Sequence, residues 1–306
     1  MVNGKLIVLC GPTAAGKTGL GIQLARYLGV PVLSADSRQV YREFDIGTAK
    51  PTPQEREQAE HRLIDVASPT ETFNVARYRA LALAEIEKLH AARQPALLVG
   101  GSGLYLRAVA GGWQPPAVPP DLELRSQLAI QPLARLFEQL QRLDPETARR
   151  LHSNDRVRIE RALEVCLASG RPMSTQQQPI HPGFEVLTVG IGSDRAALLE
   201  RIERRTHQMI ERGWLIEVKK LRAKYGLDLP LLRTLGYAEL GAYLAGEIDQ
   251  DQAIRQIVVH TRQFAKRQMT WFRSESKIHW LDSLEESAQA DLWSRLQEQV
   301  DRFLKS

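Results

Sequence analysis

A glycine-rich turn near the start of the sequence carries the residue types of a phosphate-binding loop. Gly11, Gly16, Lys17 and Thr18 satisfy the spacing G-x-x-x-x-G-K-[ST]. In such a loop, backbone N–H groups surround an anion, the lysine adds a positive charge, and the hydroxyl binds a hydrated Mg²⁺. The spacing therefore predicts a site for a diphosphate or polyphosphate, and a chance match on a glycine-rich turn is the alternative. The loop comprises Gly11, Pro12, Thr13, Ala14, Ala15, Gly16, Lys17 and Thr18.

A carboxylate and a hydroxyl follow the next apolar run. Asp36 and Ser37 come after residues 30–33, which predict a short strand. Because the strand ends of an open α/β sheet line the ligand crevice, we expect Asp36 beside the bound phosphates. An aspartate in this position is also typical of a helix N-cap, so the residues alone leave both interpretations open.

The elements that must position these residues alternate between strands and helices. The apolar run 6–10 predicts a buried strand, and the leucines at four-residue spacing in 18–28 predict a helix. Further strands are predicted at 61–66 and 95–99, with a helix at 73–90 between them. This alternation predicts a parallel, doubly wound α/β sheet of the P-loop NTPase type.

A proline- and glycine-rich segment at 111–120 predicts a domain boundary. The pattern from 121 to 170 is helical with no clear strand, and the strand predicted at 184–191 returns to the sheet. We therefore predict a helical insertion within the α/β core. The predicted parts are the first part of the core at 1–112, the insertion at 113–182, and the return to the core with basic C-terminal helices at 183–306.

The 306 residues carry a net charge of +5 that is concentrated in one segment. Residues 201–280 contain 15 lysines and arginines against 9 acidic residues. Such an excess indicates either a solvated basic face or a patch for phosphate or nucleic acid. This segment includes a predicted basic helix at 254–273, and a strand at 278–281 and a helix at 284–304 are predicted after it.

Several classes of protein are disfavoured by the composition. No apolar run approaches the ~18 residues of a membrane span, and we expect no signal peptide because the N-terminus enters a strand at once. Cys10 and Cys166 provide neither a disulfide framework nor zinc-ligand spacing. Both are predicted to be buried free thiols, which fits a reducing cytoplasm.

The order of several motifs resembles the tRNA dimethylallyltransferase family, also called tRNA isopentenyltransferases, over nearly the whole chain. A P-loop alone is a weak family marker, whereas the ordered set is specific. The matching segments are 11–18, Asp36-Ser37 with Tyr41, 45–51, 61–65, 100–105, 161–165, Arg233 with 235–237, and 261–273. The zinc finger of some eukaryotic members is missing, which favours a bacterial-type enzyme.

The resemblance implies transfer of a dimethylallyl group from dimethylallyl diphosphate to N6 of an adenosine. That adenosine lies 3′ of the anticodon in tRNAs that read codons beginning with U, and the products are N6-dimethylallyladenosine and diphosphate. Asp36 would accept the N6 proton, Thr18 would hold Mg²⁺, and Arg233 would reach the departing diphosphate.

The resemblance also implies contacts with the anticodon stem-loop of tRNA. Ser102 stands where the family usually has threonine, so the hydroxyl is kept. Arg156-Val157 replaces the usual Pro-Gln, which weakens the transfer of a base contact by that glutamine. For Arg158 and Arg161, ion pairs within their own helix are the alternative role. The implied tRNA-binding residues are Asp36, Ser37, Arg38, Gln39, Ser102, Arg125, Arg158 and Arg161.

Three alternative functions share parts of this pattern. An adenylate dimethylallyltransferase would modify free AMP, and a small-molecule P-loop kinase would bind ATP through the same loop. A non-enzymatic RNA-binding module would leave Lys17, Thr18 and Asp36 without a joint purpose. The large arginine-rich remainder argues against a minimal kinase, and we expect a cytoplasmic, monomeric tRNA-modifying transferase.

Overall fold

A computed structural model describes residues 4–176, 180–283 and 289–306 of the chain. The strands of the described residues form a six-stranded sheet in which every neighbouring pair is parallel. The strands are β1 (Lys5–Cys10), β2 (Val32–Ser34), β3 (His61–Arg62), β4 (Ala96–Gly100), β5 (Glu185–Ser193) and β6 (Ile278–Ser283).

Helices connect the strands and make up most of the remaining described chain. Those that accompany the sheet are α1 (Lys17–Leu28), α2 (Pro53–Gln58), α3 (Val75–Ala91), α4 (Gly103–Val109), α9 (Arg195–Glu211), α10 (Trp214–Tyr225), α11 (Tyr237–Leu244), α12 (Gln250–Arg273) and α13 (Gln289–Lys305). The others are α5 (Leu122–Ala129), α6 (Leu133–Leu143), α7 (Pro145–Arg150) and α8 (Arg156–Ser169). Short 3₁₀ turns lie at Met173–Gln176 and Pro230–Arg233.

The chain forms two compact units. The first combines residues 1–110 with 182–306 and contains the whole sheet, while the second spans 111–181 and is helical. The first unit has the α/β, P-loop-like architecture, so the predicted fold class is confirmed. The unit boundaries lie within two residues of the limits predicted for the insertion, 113 and 182.

Strand β1 occupies the middle of the sheet, between β4 and β5 in the order β3-β2-β4-β1-β5-β6. Its alternate residues face opposite sides, with Leu6 and Val8 in one hydrophobic cluster and Ile7 and Leu9 in the other. Helices cover both faces, which is why this strand is apolar without interruption. The carboxyl ends of β1, β2 and β4 meet at one edge, where the two glycine-rich turns and Asp36 follow them.

Some elements differ from the sequence-based expectations. The strand predicted at 61–66 ends at Arg62, because Leu63 and Asp65 adopt positive φ angles of 64° and 58°. The basic helix starts at Gln250 rather than at 254, since Asp249 forms a capping box with Gln252. The first residues of the helix predicted at 284–304 lie outside the described residues, and α13 is described from Gln289.

Candidate active site

The P-loop connects β1 to α1 at the carboxyl edge of the sheet. Gly16 precedes the helix at φ 88°, a conformation that L side chains rarely adopt, and no side chain caps the helix. The first N–H groups of α1 are therefore left to face an anion. Lys17 folds back over the loop and donates a hydrogen bond to the Pro12 carbonyl at 2.6 Å. The exposed hydroxyl of Thr18 lies on the first turn of the helix, where Mg²⁺ bound to a diphosphate would find a ligand.

The surroundings of Lys17 disfavour the charged form of its side chain. Burial, and to a lesser extent the positive charge of Arg205, lower the pKa of its ammonium group from 10.5 to about 8. The negative charge of Asp36 partly opposes these effects. A diphosphate in the loop would favour the charged ammonium, because an opposite charge close by stabilises it.

Asp36 lies two residues beyond the end of β2 and is half-buried. Its Oδ1 accepts hydrogen bonds from the backbone N–H groups of Arg38 at 2.8 Å and Gln39 at 3.4 Å. Among the described residues, none forms a hydrogen bond with the second oxygen, Oδ2. Asp36 therefore closes a local turn with one oxygen and keeps the other available. Residues 37–40 form a turn and the next helix begins at Pro53, so Asp36 is not a helix N-cap.

The second glycine-rich turn, after β4, packs directly against the Asp36 segment. A Cβ atom at Gly100 would lie 2.1 Å from the Ala35 carbonyl oxygen, so only glycine permits this approach. The backbone N–H of Ser102 donates to the same carbonyl at 3.1 Å. Its hydroxyl accepts a hydrogen bond from the N–H of Ser37 at 2.8 Å, which fixes the turn beside Asp36.

Arg205 is a site residue that the sequence analysis missed. Its Nη1 donates to the Thr13 hydroxyl at 3.4 Å, and its charge influences Lys17. It lies on α9 between the buried Ile202 and Met209, at a position that helical spacing assigns to the apolar face. An arginine within an apolar stripe was the signal in the sequence that could have identified it.

The predicted diphosphate ligand Arg233 has a different environment. Its side chain is 72% exposed, and its Nη2 lies 3.3 Å from Oδ1 of Asp228. Arg233 borders the same cavity as Asp36, although its described hydrogen bond is to Asp228 rather than to the P-loop. Its role therefore remains a prediction, whereas Arg205 is the arginine found beside Lys17.

A cavity of about 510 Å³ joins these groups within the first unit. Its polar wall contains Asp36, Arg38 and Arg205, and its apolar wall contains Trp214 and Phe264 among others. This volume and mixed lining suit a flat base together with a short apolar chain. The other lining residues are Thr13, Ala14, Ser37, Gly47, Thr48, Ser102, Ile202, Thr206, Met209, Arg233, Thr234, Leu235, Tyr237, Ile257, Thr261 and Arg267.

Gln39, predicted to contact tRNA, is engaged within the protein. Its amide nitrogen donates to the carbonyls of Thr48 at 3.3 Å and Ala49 at 3.0 Å, and its amide oxygen accepts from Ser34 at 3.0 Å. These bonds hold the segment that includes Gly47 and Thr48 against the Asp36 turn. The described contacts of Gln39 therefore support the cavity wall.

Two predicted tRNA ligands in the helical unit share a buried carboxylate. Arg125 forms a two-pronged ion pair with Glu164 at 2.7 and 3.0 Å, and Arg161 donates to the same carboxylate at 2.5 Å. Burial raises the pKa of Glu164, but the hydrogen bonds from Arg125, Arg161 and the Asp121 N–H lower it more, so the net shift is downward. Arg158 is 73% exposed and pairs only loosely with Asp155, at 3.4 Å.

Other predictions concern metals, thiols and membranes. Within the described ranges, no cluster of three or more histidine, cysteine or acidic side chains could hold a metal ion. Cys10 and Cys166 are buried and unpaired, as predicted. No described helix combines the length and apolar character needed to cross a bilayer.

Comparisons with known proteins agree in the family that they indicate. The family model described as IPP transferase matches residues 39–275. A tRNA dimethylallyltransferase from Gloeobacter violaceus is 65% identical over 98% of this chain and 99% of its own length. A tRNA dimethylallyltransferase from Acaryochloris marina is 50% identical over 96% of this chain and 98% of its own length.

Solved structures give the same result. The tRNA isopentenylpyrophosphate transferase from Bacillus halodurans has a TM-score of 0.72 and 33% identity, covering 98% of both chains. A eukaryotic dimethylallyltransferase, described as acting on tRNA, has a TM-score of 0.82 and 26% identity over 99% of this chain and 80% of its own. This chain belongs to the IPP transferase family, and its curated relatives at high identity are tRNA dimethylallyltransferases.

Proposed function

We propose that this protein transfers a dimethylallyl group from dimethylallyl diphosphate to N6 of the adenosine on the 3′ side of the anticodon. The acceptors are tRNAs that read codons beginning with U. The observation that carries the proposal is the arrangement at one cavity, where the phosphate loop after β1 and the unengaged oxygen of Asp36 after β2 lie at the same carboxyl edge of the sheet, on either side of β4. The names of the relatives support tRNA as the acceptor, and they give no support to AMP or to a kinase reaction.

The diphosphate of the donor would lie in the P-loop with its negative charge against Lys17 and Arg205. Both cations are partly withdrawn from water, which strengthens their attraction for the charge that develops on the leaving group. Mg²⁺, held through the Thr18 hydroxyl and phosphate oxygens, would supply further neutralisation of that charge. Arg233, at the edge of the same cavity, is a second candidate for this task.

Asp36 would act on the other substrate. The N6 lone pair forms a bond to C1 of the dimethylallyl group while the C1–O bond breaks and its electron pair leaves with diphosphate. The resulting N6 cation loses a proton to Oδ2 of Asp36, which restores the neutral amine. The exocyclic amine of adenine is a poor nucleophile because its lone pair is delocalised, so a positioned base has a direct benefit.

The tRNA would approach along surfaces that expose cations and one aromatic ring. Arg38 and Arg267 border the cavity in exposed positions, and Phe264 beside them is 41% exposed. An adenine that leaves the stack of the anticodon loop can stack on such a ring. Unstacking a base costs less free energy in a loop than in a duplex. In the helical unit, Arg158 is the predicted ligand with the most accessible guanidinium. We further propose that the enzyme works as a monomer in the cytoplasm.

The choice of acceptor is tested by offering tRNA, AMP and ATP separately with labelled dimethylallyl diphosphate and Mg²⁺. We expect label only in tRNA, and digestion followed by mass spectrometry should identify N6-dimethylallyladenosine next to the anticodon. Label in AMP with none in tRNA would replace the proposal by the adenylate alternative. Transfer of phosphate from ATP without prenylation would indicate a kinase.

A further inference from the structure

The side chain of Gln268 connects the two glycine-rich turns of the site. It extends from α12, where its amide oxygen accepts a hydrogen bond from the N–H of Thr13 at 2.8 Å. Its amide nitrogen donates to the carbonyl of Gly101 at 2.9 Å. A residue more than 250 positions away in the chain thus links the phosphate loop to the turn after β4.

The connection continues from Gly101 to the segment that holds Asp36. Ser102, the next residue, accepts a hydrogen bond from Ser37 at 2.8 Å. Ser37 is the neighbour of Asp36, whose Oδ1 closes the same turn. An unbroken path of covalent and hydrogen bonds therefore runs from the phosphate loop through Gln268 to the segment that carries Asp36.

The two backbone groups that Gln268 contacts require both a hydrogen-bond acceptor and a hydrogen-bond donor. A Cβ atom at Gly101 would lie 2.6 Å from Nε2 of Gln268, so the glycine makes room for this contact. The Thr13 N–H needs an acceptor and the Gly101 carbonyl needs a donor, and a primary amide supplies one of each. A carboxylate would lose the donor, and an apolar side chain of similar length would lose both.

We propose that Gln268 is a positioning residue for dimethylallyl transfer. It fixes the distance and orientation of the phosphate loop relative to the Asp36 turn. This inference rests on the proposed function. Gln268 acts through Thr13 and Gly101, whose positions determine how the bound dimethylallyl diphosphate is oriented relative to Asp36. Because a displacement of about 1 Å between reacting groups can cost about 10²-fold in rate, a small relaxation of this link should be visible in turnover.

Three variants test the proposal. Gln268→Met keeps the length and removes both hydrogen bonds, Gln268→Glu keeps the acceptor only, and Gln256→Met is a matched change at an exposed position of α12. For each variant, the single-turnover rate at saturating substrates, the Kd values for tRNA and dimethylallyl diphosphate, and the melting temperature are measured. We expect Gln268→Met to lose about 10- to 100-fold in rate while its Kd for tRNA stays within about twofold. Gln256→Met should match the wild type.

The Gln268→Glu variant supplies a signature that a purely structural role would not produce. When its carboxyl group is protonated, the group can again donate to Gly101 and accept from Thr13. Its rate relative to the wild type at the same pH should therefore rise as the pH is lowered. The same variant decides the question if Gln268→Met fails to fold.

Two results would overturn the proposal while the activity itself stands. One is a wild-type rate in Gln268→Met, and the other is a Gln268→Glu rate whose ratio to wild type does not change with pH. Wild-type protein that forms no dimethylallyladenosine would instead contradict the proposed function. The two failures are therefore distinguishable.

Discussion

At the scale of single residues, the two carboxylate oxygens of Asp36 have different surroundings. Oδ1 holds the turn to Arg38 and Gln39, whereas Oδ2 has no described hydrogen bond. Asp36→Asn keeps an acceptor for the turn but is a far weaker base. We expect its single-turnover rate to fall ~10²–10⁴-fold with both substrates still bound. A rate near the wild-type value, with chemistry shown to be limiting, would reduce Asp36 to a residue that only closes the turn.

Lys17 should give donor binding a pH dependence of known sign. Burial, reinforced by Arg205, lowers the pKa of the free ammonium to about 8, and a bound diphosphate raises it. Affinity for dimethylallyl diphosphate should therefore change little below about pH 8 and fall above it, as the free enzyme loses the proton. Calorimetric titrations across this range measure the effect. Lys17→Met should bind more weakly without this fall, and an identical fall in the variant would assign the proton to another group.

Two of the arginines that border the cavity, Arg205 and Arg233, have different surroundings, which predict different consequences of removing them. Arg205 contacts the phosphate loop at Thr13, whereas the exposed Arg233 pairs with Asp228. We expect Arg205→Met to lower turnover by about 10²-fold, the typical loss for one donor to a developing anion. Arg233→Met, the matched change, should have the smaller effect in the same assay. A larger loss of turnover in Arg233→Met than in Arg205→Met would instead make Arg233 the main arginine that stabilises the departing diphosphate.

At the scale of elements, the correct predictions were those that depend on a pattern within one short stretch of sequence. The unit β1–loop–α1 is encoded by an apolar run, a glycine turn and a leucine stripe, so its pattern lies within one short stretch. The strand expected at 61–66 failed because its end depends on a partner elsewhere in the chain. Asp65 pairs with the buried Lys50 at 2.5 Å, and the positive φ angles of Leu63 and Asp65 end the extended run after Arg62.

The site shows the same division between local and distant information. Asp36 and the P-loop follow predicted strands, and parallel strands end at the same edge of a sheet, so the proximity of these residues could be inferred from the sequence. Arg205 and Gln268 reach Thr13 from 192 and 255 positions away. Such contacts depend on how α9 and α12 pack against the sheet, and helical periodicity does not specify that packing.

Helix α8 contains Glu164, which together with Asp144 is a fully buried carboxylate of the helical unit. Glu164 is fully buried between Arg125 and Arg161, so Glu164→Gln would leave two guanidinium groups without their carboxylate. We expect the free energy of unfolding to fall by about 3 kcal/mol, measured by urea denaturation of the intact chain. Since the folded carboxyl has a lowered pKa, this contribution is present above its unfolded pKa and is lost as the pH falls through the folded one.

The matched control on the same helix is Glu160→Gln. Glu160 pairs with Arg156 at 2.7 Å and is partly exposed, so its loss should cost less than about 1 kcal/mol. Equal effects of the two substitutions would mean that burial of Glu164 adds nothing to the stability of this unit.

At the scale of the whole molecule, the positive charges have two different environments, and we expect them to bind two different anions. Lys17 and Arg205 are partly withdrawn from solvent at the phosphate loop, where they suit one small diphosphate. Lys266 and Arg267 lie exposed on α12, as the backbone of a large nucleic acid requires. Arg262 on the same helix pairs with Glu203 at 2.9 Å, so less of its charge is available to RNA. The two binding activities should therefore respond to different substitutions.

A crossed pair of variants measures that separation. Lys17→Ala should strongly weaken binding of dimethylallyl diphosphate while tRNA affinity stays nearly unchanged. Lys266→Gln with Arg267→Gln should leave donor binding intact and flatten the slope of log K for tRNA against log salt by roughly 1 to 2 units, because fewer counterions are released. Arg262→Gln alone should change the slope less, since Glu203 already neutralises much of that charge. If Lys17→Ala lost both affinities equally, the two anions would share one site, and an unchanged slope in the double variant would make this face of α12 a solvated surface without a role in binding tRNA.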